Sequence, residues 1–241
     1  LERIAKTVHD HFPKVLIVVD AITALLTEKI ETDLWNLDVV IGGAQKAFGL
    51  PPGLAFLSVS HRTSEKMQST SPHSYYLNLN QELLKQRNGQ TNFTPAISLI
   101  QGLHKVTGEI LRQGPKNIIA EAALMARCTR KGLKSLGFQL VSHAPSNAVT
   151  AAFPPSDIKA PDLVKKLETE TGIKVAGGQG ELKNKIIRIA HLGYFDLIDV
   201  FSVLSAIELC LLLLGTKVEL GKGVGAALHE ASETACQISK T

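Results

Sequence analysis

An aspartate and a lysine follow two successive strand-like runs near the start of the chain. Asp20 ends the apolar run 15–20, and Lys46 comes just after Gly42-Gly43, which end a second run. A lysine amine attacks aldehydes when its pKa is depressed or when it is already held as an imine. A nearby carboxylate can keep a pyridine nitrogen protonated. The pair suggests a site for an aromatic aldehyde, although each residue alone has an ordinary interpretation, a helix-capping aspartate and a solvated lysine.

Three apolar runs rich in β-branched residues would position these side chains. They span residues 15–20, 37–43 and 54–59, and they predict strands covered on both faces of a parallel sheet. In open α/β sheets, ligands bind at the carboxyl ends of strands, where Asp20 and Lys46 would lie. Gly42, Gly43 and Ala44 would let a ligand approach the backbone closely. With a helix over residues 1–11, the pattern predicts an α/β layered architecture.

The rest of the chain has a different pattern of predicted helices and strands. Residues 60–92 are polar and irregular, which predicts a surface segment, a lid or a subunit contact. Thr94-Pro95 is predicted to start a long helix. The domain boundary is predicted within residues 105–116. An α+β region would follow, with helices at 117–136, 160–171 and 197–214 and strands at 138–141, 148–153, 173–175 and 186–189.

Composition excludes several classes of protein. With 44% hydrophobic and 20% charged residues, the chain is typical of globular proteins rather than of disordered, collagen-like or membrane chains. The 26 basic and 22 acidic residues are scattered, so neither a nucleic-acid nor a membrane partner is expected. The apolar run 209–214 is too short to span a bilayer and predicts a buried helix face. Trp35 is expected to pack between helix and sheet.

The three cysteines, Cys128, Cys210 and Cys236, are dispersed along the chain. Their spacing predicts no metal site. It is typical of small core residues in a protein from a reducing compartment. We therefore expect a soluble protein of the cytoplasm or an organelle lumen, with any targeting segment lying upstream of Leu1.

Two segments contain the aspartate and the lysine, VDAI at 19–22 and DVVIGGAQKAFGLPPGLA at 38–55. They resemble the pyridoxal-phosphate segment of class V aminotransferases, and within that class the alanine-glyoxylate and serine-pyruvate group. The resemblance covers essentially the whole chain. It implies the carboxy-terminal part of the large α/β domain of fold type I over residues 1–110, a mostly parallel sheet with flanking helices. A small α+β domain would occupy residues 111–241.

The same resemblance implies a role for each residue around the lysine. Lys46 would form the internal aldimine with pyridoxal 5'-phosphate and later move a proton between the substrate Cα and the cofactor. Asp20 would pair with the pyridine nitrogen, Ile22 would pack on one face of the ring, and Gln45 would reach the phosphate. The chain departs from the family at Ala44, where serine or threonine is common, so one hydroxyl near the phosphate is missing.

The segment QTNFTPA at 90–96 is similar to the family stretch that crosses a dimer interface to the partner's cofactor phosphate. The resemblance implies a homodimer in which Gln90 and Thr91 make that contact. From the residues alone, the same segment is an ordinary helix-capping region in which Asn92 or Phe93 precedes the helix.

The segment KIIRIAHLG at 185–193 places an arginine inside an apolar strand. A buried guanidinium needs an anion, and its planar fork gives a carboxylate two parallel hydrogen bonds. An internal salt bridge is as good an interpretation as substrate binding from the residues alone. The family resemblance implies that Arg188 binds the substrate carboxylate. His191 is expected to be structural.

Together these features predict transfer of an amino group between a small amino acid, alanine or serine, and a small 2-oxo acid, glyoxylate or pyruvate. Another class V chemistry is an alternative, either 2-aminoethylphosphonate transamination or cysteine desulfuration. Against desulfuration stands Gln45, where desulfurases carry histidine. The remaining alternative is an incomplete, non-catalytic fragment, because the chain has no initial Met and looks like the C-terminal part of a longer protein.

Overall fold

The computed structural model describes the backbone of residues 1–238 and the side chains of residues 1–234. The chain forms two compact units. Unit 1 comprises residues 1–25 and 29–112, and unit 2 comprises residues 26–28 and the described residues from 113 onward. Within the part of the chain that the structure describes, no helix has the length and apolar character needed to cross a membrane.

Unit 1 contains a three-stranded sheet in the order β1-β2-β3. β1 and β2 are parallel, with Asp20 opposite Ile41, whereas β2 and β3 are antiparallel, with Gly43 opposite Ala55. All three strands lie within the runs predicted from sequence. In chain order the elements are α1 (Glu2–His11), β1 (Val18–Asp20), β2 (Val39–Gly43), β3 (Ala55–Val59), α2 (His61–Gln68), α3 (Leu79–Arg87) and α4 (Ile97–Gln113).

Two expectations about this sheet were wrong. Within the described residues β1 is not covered on both faces, because Val18 keeps 60% of its surface exposed. β3 runs antiparallel to β2, because the short connection through Pro51-Pro52-Gly53 contains no crossover helix of the kind that parallel neighbours need. The parallel arrangement therefore holds for β1 and β2 only.

The segment predicted to be irregular, residues 60–92, contains the helices α2 and α3. Both begin with a side-chain cap: the Ser60 hydroxyl accepts from the Thr63 amide (3.1 Å), and Asn78 Oδ1 accepts from the Gln81 amide (3.2 Å). These capping residues were visible in the sequence, but the shortness and the polar composition of the two helices hid them. The next helix begins at Ile97 rather than at Thr94-Pro95.

A buried carboxylate ties the start of the sheet to α2. Asp38 Oδ2 accepts from the Ile17 amide (2.8 Å) and from Arg62 Nη2 (2.5 Å), and Oδ1 accepts from Ser60 Oγ and Arg62 Nε. Burial alone would raise the pKa of Asp38, but the hydrogen bonds from Arg62, Ile17 and Ser60 outweigh it and hold the pKa below its usual value. Arg62 also donates to the Pro13 carbonyl. We call these residues the Asp38 clamp.

The apolar core of unit 1 is small. Its buried members are Ala5, Ile17, Ala21, Leu37 and Val40. Trp35 packs against them, which confirms its predicted packing role.

Unit 2 has a four-stranded antiparallel sheet in the order β4-β5-β7-β6. Its core is formed by apolar side chains from the helices and from β5 and β7, among them Leu133, Leu163, Ile187 and Leu204, which are fully buried. In chain order the elements are α5 (Pro115–Ser135), β4 (Gln139–Leu140), β5 (Val149–Phe153), α6 (Ala160–Thr171), β6 (Ala176–Gly177), β7 (Ile187–Ala190), α7 (Leu197–Leu213) and α8 (Lys222–Ile238).

Two elements of unit 2 differ from prediction. The strand expected at 173–175 lies at Ala176–Gly177, and α8 was not predicted at all. The first turn of α8 contains two glycines, which weaken a helix signal in sequence. In the structure, the buried Glu208 carboxylate of α7 accepts hydrogen bonds from the amides of Gly223 (2.6 Å) and Val224 (3.1 Å) at this turn. A long-range cap therefore supports the start of the helix.

The apolar run 209–214 covers the end of α7 and its C-cap, and the expected buried face is only partly found. Cys210 and Leu211 are fully buried, whereas Leu209, Leu212 and Leu213 are exposed. Cys128 is also fully buried, and burial raises the pKa of its thiol to about 11. Both cysteines are therefore core residues, as expected. The side chain of Cys236 lies outside the described residues.

Candidate functional site

Asp20 is the last residue of β1, at the edge of the sheet where the parallel strands β1 and β2 both end. Its backbone position is fixed by pairing with Ile41, whose carbonyl also accepts from the Ala21 amide (3.0 Å). The Asp20 side chain is exposed, and Oδ1 accepts from the Ile22 amide (3.1 Å). Because the side chain is exposed, the carboxylate is accessible to a cationic nitrogen.

Lys46 lies in a closed loop directly after β2. The Leu50 amide donates to the Ala44 carbonyl (3.0 Å), and the Gly49 amide donates to the Lys46 carbonyl (2.9 Å). Gly49 has φ +64°, a conformation that glycine adopts without strain. Lys46 itself is half-buried. The loop thus holds the lysine backbone at the same edge of the sheet as Asp20.

Ile22 and Gln45 meet over Gly43. A Cβ built on Gly43 would lie 2.9 Å from Gln45 Oε1 and 3.0 Å from Ile22 Cγ2. Any larger residue at this position would push the two side chains apart. The structure therefore brings together Asp20, Ile22 and Gln45, with Lys46 next in the chain, at the end of β1 and β2.

Gly42 does not provide the close approach of a ligand to the backbone that the sequence predicted. A Cβ on Gly42 would lie 2.2 Å from the Phe56 ring and 2.8 Å from Leu25 Cδ1. The space above Gly42 is therefore filled by side chains of the same unit, and Ala44 is fully buried. The predicted close approach of a ligand to the backbone was therefore wrong for Gly42 and Ala44, because the packing of unit 1 already fills the space around both residues.

Gln90 and Thr91 lie in the link between α3 and α4 and are both exposed. The Gln90 amide donates to the Lys85 carbonyl (3.0 Å) at the end of α3, after Gly89 with φ +68°. The Thr91 hydroxyl donates to the Phe93 carbonyl (2.6 Å), which leaves its oxygen able to accept. In the described residues the Gln90 side chain has no hydrogen-bond partner.

Arg188 lies in β7 between the fully buried Ile187 and the buried Ile189, with Ala151 and Ala176 as its neighbours across the sheet. Its side chain is half-buried rather than fully buried, because it points away from the core that its two neighbours face. Arg188 Nε donates to the Gly177 carbonyl (2.7 Å). No carboxylate of the described residues forms an ion pair with it, so the internal salt bridge is not found there.

A cavity of about 420 Å³ lies beside Arg188 within unit 2. Most of its wall is apolar, from residues such as Met125, Val175 and Phe195, and its polar wall includes Asp199 and Ser202. Small-molecule sites commonly have this size and this mixture of apolar lining with a few polar groups. The cavity is large enough for a small carboxylate next to the guanidinium.

His191 follows β7 and is fully buried. Its amide donates to the Ala148 carbonyl (2.9 Å), and Nδ1 lies 3.3 Å from the Asn147 carbonyl oxygen. Burial lowers the pKa of His191 to about 4, and the positive charge of Arg130 adds to this effect, against the Asn147 hydrogen bond. The imidazole is neutral near neutral pH, which agrees with the structural role expected for it.

Comparison with known proteins decides the family. The model for aminotransferase class V matches residues 1–188 of this chain. The chain belongs to the class V aminotransferase family. Enzymes of this family depend on pyridoxal phosphate and share fold type I, so the resemblance and the fold class inferred from sequence are confirmed.

Several relatives are longer than this chain. The chain is 34% identical over 215 residues to the soluble hydrogenase 42 kDa subunit of Anabaena cylindrica, and the match covers 88% of this chain and 56% of that protein. It is 28% identical over 227 residues to serine–glyoxylate aminotransferase of Arabidopsis thaliana, covering 92% and 57%. The crystal structure of pyridoxamine-pyruvate aminotransferase from Mesorhizobium loti superposes with a TM-score of 0.89 at 28% identity, covering 97% of this chain and 61% of that one. The class V chain spans little more than half the length of these curated relatives.

Proposed function

We propose that this class V chain is the part of an aminotransferase that carries the cofactor-binding lysine and the carboxylate-binding arginine. The reaction would move an amino group between a small amino acid, alanine or serine, and a small 2-oxo acid, glyoxylate or pyruvate. The observation that carries the proposal is the meeting of Asp20, Ile22 and Gln45 at the strand edge from which Lys46 follows. The serine–glyoxylate relative supports the substrate class.

The residues at the strand edge fit pyridoxal 5'-phosphate. When bound, this cofactor supplies an aldehyde and an electron-accepting ring. The exposed Asp20 carboxylate would hold a proton on the ring nitrogen, and Ile22 offers an apolar surface for one ring face. Gln45 is exposed next to Gly43, where its amide would donate to the phosphate. The absence of a Cβ at Gly43 keeps Ile22 and Gln45 close enough to act on one ligand.

Lys46 and Arg188 would have different roles toward the substrate, proton transfer for the lysine and carboxylate binding for the arginine. The Lys46 amine would hold the cofactor covalently, and as a general base it would take the proton from the substrate Cα. The Arg188 fork, which has no carboxylate partner in the described residues, would bind the substrate carboxylate in two parallel hydrogen bonds and so orient the Cα–H bond.

We further propose the domain and subunit organisation. Residues 1–110 are the remainder of the large cofactor-binding domain, and residues 111–241 are the small C-terminal domain. A homodimer places the exposed Gln90 and Thr91 of one subunit against the cofactor phosphate of the other. Their exposure and the free acceptor capacity of Thr91 support this assignment.

The test is cofactor loading of the 241-residue protein. We expect a visible absorption band from lysine-bound cofactor, which disappears in Lys46→Ala and persists in Lys14→Ala, an exposed lysine of the same unit. A band that survives Lys46→Ala would contradict the assignment. Light scattering of the loaded sample should give the mass of a dimer, whereas a monomer that retains cofactor would contradict the role of Gln90 and Thr91.

A further inference from the structure

Four basic residues of α5, Arg127, Arg130, Lys131 and Lys134, lie on one face of the helix. Residues spaced by three, four and seven positions share a helix face, so charges that look scattered along the sequence come together in the fold. We call this surface the α5 basic face. Together with β4 and the loop at 142–145, it lines a cavity of about 400 Å³ within unit 2.

Negative charge is scarce in this cavity. Of the described residues that line it, Glu230 is the sole carboxylate, and it is already shared between Arg127 Nε (2.8 Å) and Lys131 Nζ (4.0 Å). Lys134 and His143 form no ion pair with any described residue. Four permanent cations and one carboxylate therefore line the cavity, and a second carboxylate, Glu28, acts on Arg130 from outside the lining. The whole 241-residue chain, by contrast, carries a net charge of only +4.

Arg130 forms a rigid part of the wall. Its guanidinium donates to neutral acceptors, the Pro145 carbonyl (3.2 Å) and Asn147 Oδ1 (2.9 Å), so it fixes the loop but its charge is not cancelled there. Burial lowers the pKa of Arg130 and the charge of Arg127 lowers it further, against the opposing field of Glu28. An anion that binds between such cations lowers the electrostatic free energy of the cluster.

We propose that this cavity binds a small multivalent anion of the phosphate class, such as a polyphosphate or a phosphorylated metabolite. Arg130 would supply a fixed guanidinium, and the exposed, flexible Lys131 and Lys134 would close on the anion from the solvent side.

The size of the site favours a small ligand over a nucleic acid. The α5 basic face extends about 10 Å along the helix axis, which is two turns. Duplex binding draws on roughly 6–10 phosphate contacts spread along the duplex. The concave shape and the volume of the cavity match small-molecule sites instead.

Inorganic triphosphate titrated calorimetrically into the full 241-residue protein tests this site. We expect saturable one-site binding that weakens by about tenfold or more in the double variant K131Q/K134Q, because two cations that contact the anion are lost. The matched control K116Q/K183Q removes two exposed lysines of unit 2 that do not line the cavity. We expect this control to change the affinity by less than about twofold.

Three outcomes would overturn the proposal: no binding at physiological ionic strength, equal weakening in the two double variants, or tighter binding of duplex RNA than of triphosphate. A nucleoside triphosphate that competes better than inorganic triphosphate would identify a nucleotide as the ligand. Equal competition would identify the phosphate chain itself, and both results uphold the site. No residue proposed for transamination lines the cavity, so this test and the Lys46 test fail or succeed independently.

Discussion

Units 1 and 2 stabilise their sheets in different ways. In the described residues, the core of unit 2 contains twenty buried apolar side chains, whereas that of unit 1 contains five. Unit 1 also contains the Asp38 clamp, in which one carboxylate accepts hydrogen bonds from the Ile17 amide just before β1, from Ser60 at the start of α2 and from Arg62.

This difference predicts different weaknesses. A large apolar core loses most stability when a cavity is created in it, and a clamp of charged hydrogen bonds loses most when its charge is removed. The residues proposed to hold the cofactor lie in the unit with the small core, and Arg188 lies in the unit with the large one. Hydrogen exchange of the amides within each unit measures the two weaknesses separately.

The largest effect is expected from a cavity in unit 2. Leu204 is fully buried in α7 against Gly132 of α5. Leu204→Ala should lower the stability of unit 2 by about 4 kcal/mol, measured by hydrogen exchange of α5 and α7. Leu212→Ala, on the same helix but 46% exposed, should cost less than about 1 kcal/mol. Similar losses in the two variants would show that the large core does not dominate this unit.

The second largest effect is expected from pH, which should change the stability of unit 2. The folded pKa of His191 is about 4 against an ordinary value of 6.5, so between these values the unfolded chain binds the extra proton. Stability is therefore complete above pH 6.5 and falls as the pH drops toward 4, by up to about 3 kcal/mol.

Two histidine variants control this prediction. His191→Gln should remove the loss between pH 6.5 and 4, whereas His143→Gln, at an exposed position, should behave like the unaltered protein. A His191→Gln profile that still falls over this range would assign the pH dependence to other groups.

The smallest effect is expected in unit 1. Asp38→Asn keeps the shape of the side chain but removes the charge that Arg62 and the Ile17 amide contact, so the loss should be about 2 kcal/mol in the exchange of β1 and β2. Arg62 is partly exposed and regains water, which limits the cost. Because the pKa of Asp38 is lowered, its contribution is present above the ordinary value of 3.8 and is lost only below it, outside the range of His191.

The exposed Asp33 provides the matched control for the clamp. Asp33→Asn removes a carboxylate of the same unit that has no side-chain partner in the described residues, and it should leave the exchange of β1 and β2 unchanged. If Asp38→Asn also left the exchange of β1 and β2 unchanged, apolar packing rather than the Asp38 clamp would stabilise the sheet of unit 1.

Sequence patterns predicted most of the elements in both units, because long periodic or continuous apolar runs carry their own signal. α6 was predicted at its observed bounds, and β2, β5 and α7 within a residue or two. The helices α2, α3 and α8 were missed for a common reason. α2 and α3 are short and polar, α8 opens with two glycines, and each depends on caps or packing that a local pattern does not record.

By itself, the sequence determined the family, the two strands that Asp20 and Lys46 follow, and the identity of the residues proposed to do the chemistry, since residue types and spacing encode all three. Only the tertiary structure decided which side chains meet. It placed Ile22 and Gln45 over Gly43, filled the space above Gly42 with Phe56, left the Arg188 fork without a carboxylate among the described residues, and gathered the cations of α5 around one cavity. These outcomes depend on packing between segments distant in sequence, where the direction and burial of each side chain are set by its neighbours in space.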